Sequence, residues 1–229
     1  MKPILVLTLR TYARYVAPLT LLSVVLFAPL LAYGLLSKTP GELGPAWRMV
    51  MIAWGAASTA WIAQYMLVGA AAPLARSIAE AAPLTQRAAL RAAVGGLVRA
   101  GLPTLMVVAA IAMGSIALVI PGLALGVLLS LTGASTRSGL AEPMLDSVAR
   151  VRANLKVAIL AVVAILAVDF AIVTLPFVIL LGPLSPRPTP EELSAAQLIL
   201  KVAAIGIPLV TPLAACLLAA VATTARPTE

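Results

Sequence analysis

The sequence predicts an all-α integral membrane protein of six transmembrane helices, with three amphipathic interfacial helices on the cytoplasmic side. Three observations predict it. Of 229 residues, 62% are hydrophobic and 10% charged, whereas a soluble domain carries roughly 25% charged residues; the mean hydropathy is +1.09. Uncharged apolar runs recur along the chain at about the 20 residues that a hydrocarbon core ~30 Å thick requires. Lysine and arginine collect in alternate connections, as basic residues do when they remain on the cytoplasmic side.

The runs are 16–36, 49–75, 101–120, 123–135, 157–181 and 196–224, forming one polytopic domain over 1–229. Pro121-Gly122 is expected to break the chain between the third and fourth runs, and the fourth is short enough to be tilted or partly re-entrant. Span five contains Asp169; span six has Lys201 near its start and Gly206, Pro208 and Pro212 further on, which make it the strongest candidate for a broken helix. The apolar start, Pro3 to Leu9, is short and runs into Arg10 and Arg14 without a small-residue cleavage site, so the reading is a retained N-terminus.

Twelve of the sixteen bases fall on one face of this topology. They are Lys2, Arg10 and Arg14; Arg76, Arg87, Arg91 and Arg99; Arg137, Arg150, Arg152 and Lys156; and Arg226. Lys38, Arg48, Arg187 and Lys201 fall on the other. Both termini are therefore expected in the cytoplasm of a bacterial-type inner membrane. The outer connections, Ser37 to Pro45 and Gly182 to Pro190, are rich in proline and glycine and read as turns.

Each cytoplasmic segment carries an apolar stripe at helical spacing: Leu5, Leu9, Tyr12, Val16; then Leu90, Val94, Leu97, Gly101; then Met144, Val148, Val151, Leu155. Helices of this kind lie in the interface with arginines reaching headgroups or water. In the third, Pro143 fits the first helical position, and Asp146 with Arg150 reads as an i, i+4 pair of modest value on an exposed face. An interfacial helix followed by two spans occurs three times, suggesting a threefold repeat. Arg10, Arg14, Arg87, Arg91, Arg99, Arg150, Arg152 and Lys156 are thus candidates for inner-leaflet lipid contact, a pattern that topological anchoring alone would also produce.

A carboxylate at mid-bilayer is costly, so Asp169 reads either as a proton or cation site or as a protonated acid that fixes helix packing. Lys201 is expected to snorkel to the outer interface. Gln64, Thr174 and Thr211 complete the candidate intramembrane polar set, each expected to bond between helices.

Catalysis finds no support. Histidine is absent and Cys216 is the single cysteine, which removes the usual neutral-pH base, a disulfide and a cysteine metal cluster. No metalloprotease helix, nucleophile elbow or phosphate loop is present. No cofactor is expected. The charge of +8 with only 4% aromatic residues fits membrane topology better than nucleic acid, which leaves lipids, a protein partner or a second copy of the chain as partners.

From Ile120 the chain reads Ile120-Pro121-Gly122, an apolar run, then Glu142-Pro143-Met144-Leu145-Asp146-Ser147, Arg150, Arg152 and a new span. This resembles a pattern in the membrane domain associated with some glycerophosphodiester phosphodiesterases and in related stand-alone multi-pass bacterial membrane proteins. Leu9-Arg10-Thr11-Tyr12 resembles the start of the same group, whereas Val148 stands where an aromatic is common there. The resemblance implies the multi-span plan and no phosphodiesterase activity. The expected role is a non-catalytic, lipid-contacting scaffold or accessory subunit; the alternative is a small transporter, channel or lipid-moving protein using Asp169 and the kinked sixth span.

Overall fold

The computed structural model describes residues 2–29, 31–32, 46–117, 119–137, 139–181 and 189–225. Among these residues every element is helical: α1 (Lys2–Leu26), α2 (Ala46–Ala79), α3 (Gln86–Ala117), α4 (Val119–Leu128), a 3₁₀ turn (Thr132–Ala134), α5 (Ala141–Ala153), α6 (Leu155–Leu181) and α7 (Pro190–Thr224). Helix α2 is central and packs against α1, α3, α7 and the 3₁₀ turn, while α6 lies on α7 and α4 on α3.

Among the described residues, Gln86–Gly114 and Ala204–Thr224 are each long and apolar enough to cross a membrane, with a third crossing if the bent pair Ala141–Ala153 and Leu155–Val168 is one span. Large apolar side chains point outward along these helices, including Val98, Leu102 and Met106 on α3, Val163 on α6 and Leu209 on α7. Lipid is the solvent that such a surface requires, because water would leave it unsatisfied on every side. The chain is a helical membrane protein.

The described part of α3 reaches Ala117 and that of α4 begins at Val119, with Pro121 near its start. The 10 described residues of α4 rise about 15 Å, half of what a span needs.

The three base-rich segments differ from one another. The first is continuous with the apolar run that follows it in α1, kinked at Tyr15 (φ −119°, ψ 25°). Its stripe residues Leu5, Leu9 and Val16 are exposed, and Ile4, Leu7, Thr11 and Tyr15 form the packed face. The second is the straight start of α3, not a separate helix. Here the packed face is Ala89, Ala93, Gly96 and Ala100, while Val94 of the expected stripe is exposed. Small residues win this face because they let α2 and α3 approach closely. A Cβ on Gly96 would collide with the backbone of Gly69, and one on Gly69 with Ala100. The third segment, α5, is a separate helix bent 105° from α6. Asn154 makes the break, closing α5 through its N–H on Val151 O and opening α6 by accepting the N–H groups of Val157 and Ala158.

Prolines inside the long helices free carbonyls four residues back, and the fold supplies partners for two of them. Pro18 frees Arg14 O, which accepts from Gln86 Nε2 at 2.9 Å. Pro212 frees Pro208 O, which accepts from Ser23 Oγ at 2.7 Å and so ties α1 to α7. Pro73 frees Gly69 O, which faces the Cα of Gly96 in the tight α2–α3 crossing, a geometry suited to a Cα–H···O contact.

Candidate functional site

Polar groups converge where α2 ends, the 3₁₀ turn closes and α5 crosses. The sequence puts an irregular segment, Leu129 to Ser135, between α4 and α5, and Leu129 to Ala134 is buried. Buried irregular backbone needs side-chain partners. Ser147 Oγ donates to Leu128 O at 2.8 Å and accepts from Leu131 N at 3.1 Å, closing the end of α4. Arg76 Nη2, from the end of α2, donates to Ala134 O at 3.1 Å.

Asp146 is the centre of the cluster. It is 6% exposed and accepts from Ser135 Oγ at 2.7 Å and from Arg150 Nε at 3.0 Å. Arg150 Nη1 reaches further, to Ala222 O at 2.9 Å. Ala222 lies in the last turn of α7, where carbonyls have no helical partner and a cation is favoured by the helix dipole. Thus α5 is pinned to α4 on one side and to α7 on the other. This corrects the expectation of a modest pair on an exposed face: α5 turns Asp146 and Ser147 inward, because the end of α4 and the end of α7 both need polar partners.

The electrostatics favour anions. Burial pushes the Asp146 carboxyl up, but the hydrogen bonds from Ser135 and Arg150, with the charges of Arg150 and Arg137, outweigh it and hold the group below its usual range. The Arg76 guanidinium is pushed down by burial and by the nearby charges of Arg150 and Arg99. Four guanidiniums, Arg76, Arg99, Arg137 and Arg150, therefore act on this region against the carboxylates of Asp146 and Glu80.

The expected lipid-contact residues fall in two groups. Arg10, Arg14, Arg87, Arg91, Arg99, Arg152 and Lys156 are exposed. Arg150 is half-buried and structural, its side chain 20% exposed. The same end of the molecule carries Tyr15, whose hydroxyl accepts from Leu84 N at 2.8 Å and so fastens the α2–α3 connection to the α1 kink.

The intramembrane set is not gathered into one site among the described residues. Thr211 Oγ1 donates to Ile207 O, one turn back on its own helix; the expected bond between helices is replaced by this local one, a common solution for threonine in a helix. Gln64 is half-buried on α2, and Lys201 is half-buried on α7. The side chains of Asp169 and Thr174 lie outside the described residues, as do Lys38, Arg187 and Arg226. Within the described residues no group of three or more His, Cys, Asp or Glu stands where a metal could be held.

Arg76, Ser135 and Ser147 were not in the expected site. Arg76 did carry a signal, as the first base after an apolar run, and Ser147 is part of the motif that carries the family resemblance. No protein family, curated protein or solved structure matches the chain.

Proposed function

We propose that this chain is a six-span inner-membrane protein with cytoplasmic termini and a non-catalytic role, contacting anionic lipid of the inner leaflet as a scaffold or accessory subunit. Its architecture follows the multi-pass membrane domains that the Pro121-Gly122 and Asp146-Ser147 segments resemble. The observation that carries the reading is the exposed set of bases around the polar end: Arg14, Arg87, Arg91 and Arg152 are free of acidic partners in any ion pair among the described residues, where Arg150 with Asp146 is the one such pair. Exposed guanidiniums beside an outward apolar surface suit phosphate headgroups. The rival transport reading relies on the broken sixth helix as a binding site. Ser23 already occupies the carbonyl that Pro212 frees, which favours the scaffold.

The test uses exposed residues only, since Arg150 holds the fold. Arg87→Gln, Arg91→Gln and Arg152→Gln together are expected to lower co-purified anionic phospholipid, each base contributing about 1 kcal/mol at an anionic surface. Unchanged lipid content in the triple variant refutes the proposal. Cysteine labelling at positions 87 and 152 is expected to report the same side of the membrane.

A further inference from the structure

A groove of about 80 Å³ runs between the start of α1, the start of α6 and the end of α7. Its lining includes Leu5, Leu160, Ala161, Ala164, Leu217 and Val221. The volume is far below the ~300 Å³ of small-molecule sites, and no wall residue offers a polar group to orient a compact ligand. What fits is a narrow apolar chain.

Helices α1 and α6 both pack against α7, and α7 runs antiparallel to α1: Ser23 meets Pro208, while Leu5 and Val221 line one groove. The starts of α1 and α6 and the end of α7 therefore share one level, that of Arg150 and Ala222. From Val157 to Ala164 the rise is about 10 Å, most of the depth of one leaflet. Each of α1 and α6 carries a lysine at its start. Lys156 is four residues before Leu160 and eight before Ala164, on the same helical stripe; Lys2 is three residues before Leu5. Both lysines are exposed. An apolar groove about 10 Å deep, headed by two cations, has the chemistry that takes the upper part of one acyl chain of an anionic phospholipid, with the phosphate at the lysines.

We propose that this groove is a specific site for one anionic phospholipid of the inner leaflet, with its phosphate held between Lys2 and Lys156. The site rests on the lipid-contact reading above but is tested on Lys2, Lys156 and the groove instead of Arg87, Arg91 and Arg152, so the two can fail separately.

The probe is phosphatidylglycerol carrying a photoreactive diazirine in the upper part of one acyl chain, incorporated in nanodiscs with the full chain. Labelling is expected to concentrate on peptides containing Leu160 to Ala164 and Leu217 to Val221. It should be lost in Ala164→Trp and in Leu5→Trp, which fill the groove from opposite walls, one serving where the other fails to fold. Lys2→Gln and Lys156→Gln should each lower the preference for phosphatidylglycerol over phosphatidylcholine about fivefold. Labelling equally strong at Leu102 and Met106 on α3, or unchanged on filling the groove, overturns the site. Loss of labelling without any change in headgroup preference in the lysine variants overturns the phosphate assignment. Arg87→Gln with Arg91→Gln and Arg152→Gln should leave groove labelling intact; a groove that survives when those variants leave total lipid unchanged means the broader reading fails and this one stands.

Discussion

Replacing Asp146 with alanine removes the acceptor for two donors at once, Ser135 Oγ at 2.7 Å and Arg150 Nε at 3.0 Å. A hydrogen bond to a charged group contributes about 1.5–3 kcal/mol, and breaking a buried pair by deleting one partner costs about 3–5 kcal/mol. Because the Arg150 side chain retains 20% exposure, water recovers part of its loss, and about 3 kcal/mol is the expected destabilisation. An exposed i, i+4 pair would contribute only about 0.3–0.5 kcal/mol. The two descriptions of the same pair thus differ several-fold. Unfolding by sodium dodecyl sulfate in mixed micelles, followed by the fluorescence of Trp47, Trp54 and Trp61, all on α2, measures the difference. A double-mutant cycle with Arg150→Gln isolates the pair, with coupling of at least about 1 kcal/mol expected. A loss within about 0.5 kcal/mol for Asp146→Ala, or no coupling, would falsify the buried network as the anchor of α5.

The same carboxylate sets a pH dependence: its folded value is depressed, so the folded state binds fewer protons than the unfolded, and stability is complete above the ordinary carboxylate range near 4 and falls on acidification through it. Asp146→Asn should remove that increment from the acid limb of an unfolding curve. Gly95 and Gly96 should respond in opposite directions to alanine, since a Cβ at Gly95 meets nothing within 4 Å whereas one at Gly96 meets the backbone of Gly69. Gly95→Ala is expected to stabilise by up to about 1 kcal/mol and Gly96→Ala to destabilise by about 1–3 kcal/mol, read by the same titration. Ser23→Ala should cost about 1–3 kcal/mol by stranding Pro208 O, and Pro212→Ala should rescue it by restoring the backbone bond; absence of rescue means the serine acts by packing alone.

Composition and hydropathy were enough for a helical membrane protein, because a chain with so few charges has too little polar surface for an aqueous fold; they did not give the number of spans. The direction of each stripe was not legible. Periodicity marks a face, but in a membrane protein both the lipid and the neighbouring helix are apolar, so Leu5 and Leu9 turn outward while Ala89, Ala93 and Gly96, unremarkable on any hydrophobicity scale, form the contact. The interior prolines announced freed carbonyls, yet their partners Gln86 and Ser23 lie 72 and 185 residues away. Asp146 and Arg150 have the same spacing whether exposed or buried. What decides between the two is Ala222, also 72 residues distant.

The polar cluster has a cause in the shortness of α4. A full span would carry its backbone bonds to the interface, but α4 stops after 10 residues, and the segment behind it must end its bonds inside the protein. Gly133 lets that segment press against Tyr65 O and the Gly69 backbone, a position from which water and headgroups are excluded. Ser147 then serves Leu128 and Leu131, and Arg76 serves Ala134. Asp146 positions Ser135 and orients Arg150 toward α7. Ser147, Arg76 and Arg150 each answer a backbone group that the short helix or a helix end leaves open, and Asp146 orients Arg150, so the inward polar face of α5 is the counterpart of the half-span before it. The exposed Arg87, Arg91 and Arg152 answer no such demand, which is why the proposed lipid contact is tested on them and not on Arg150.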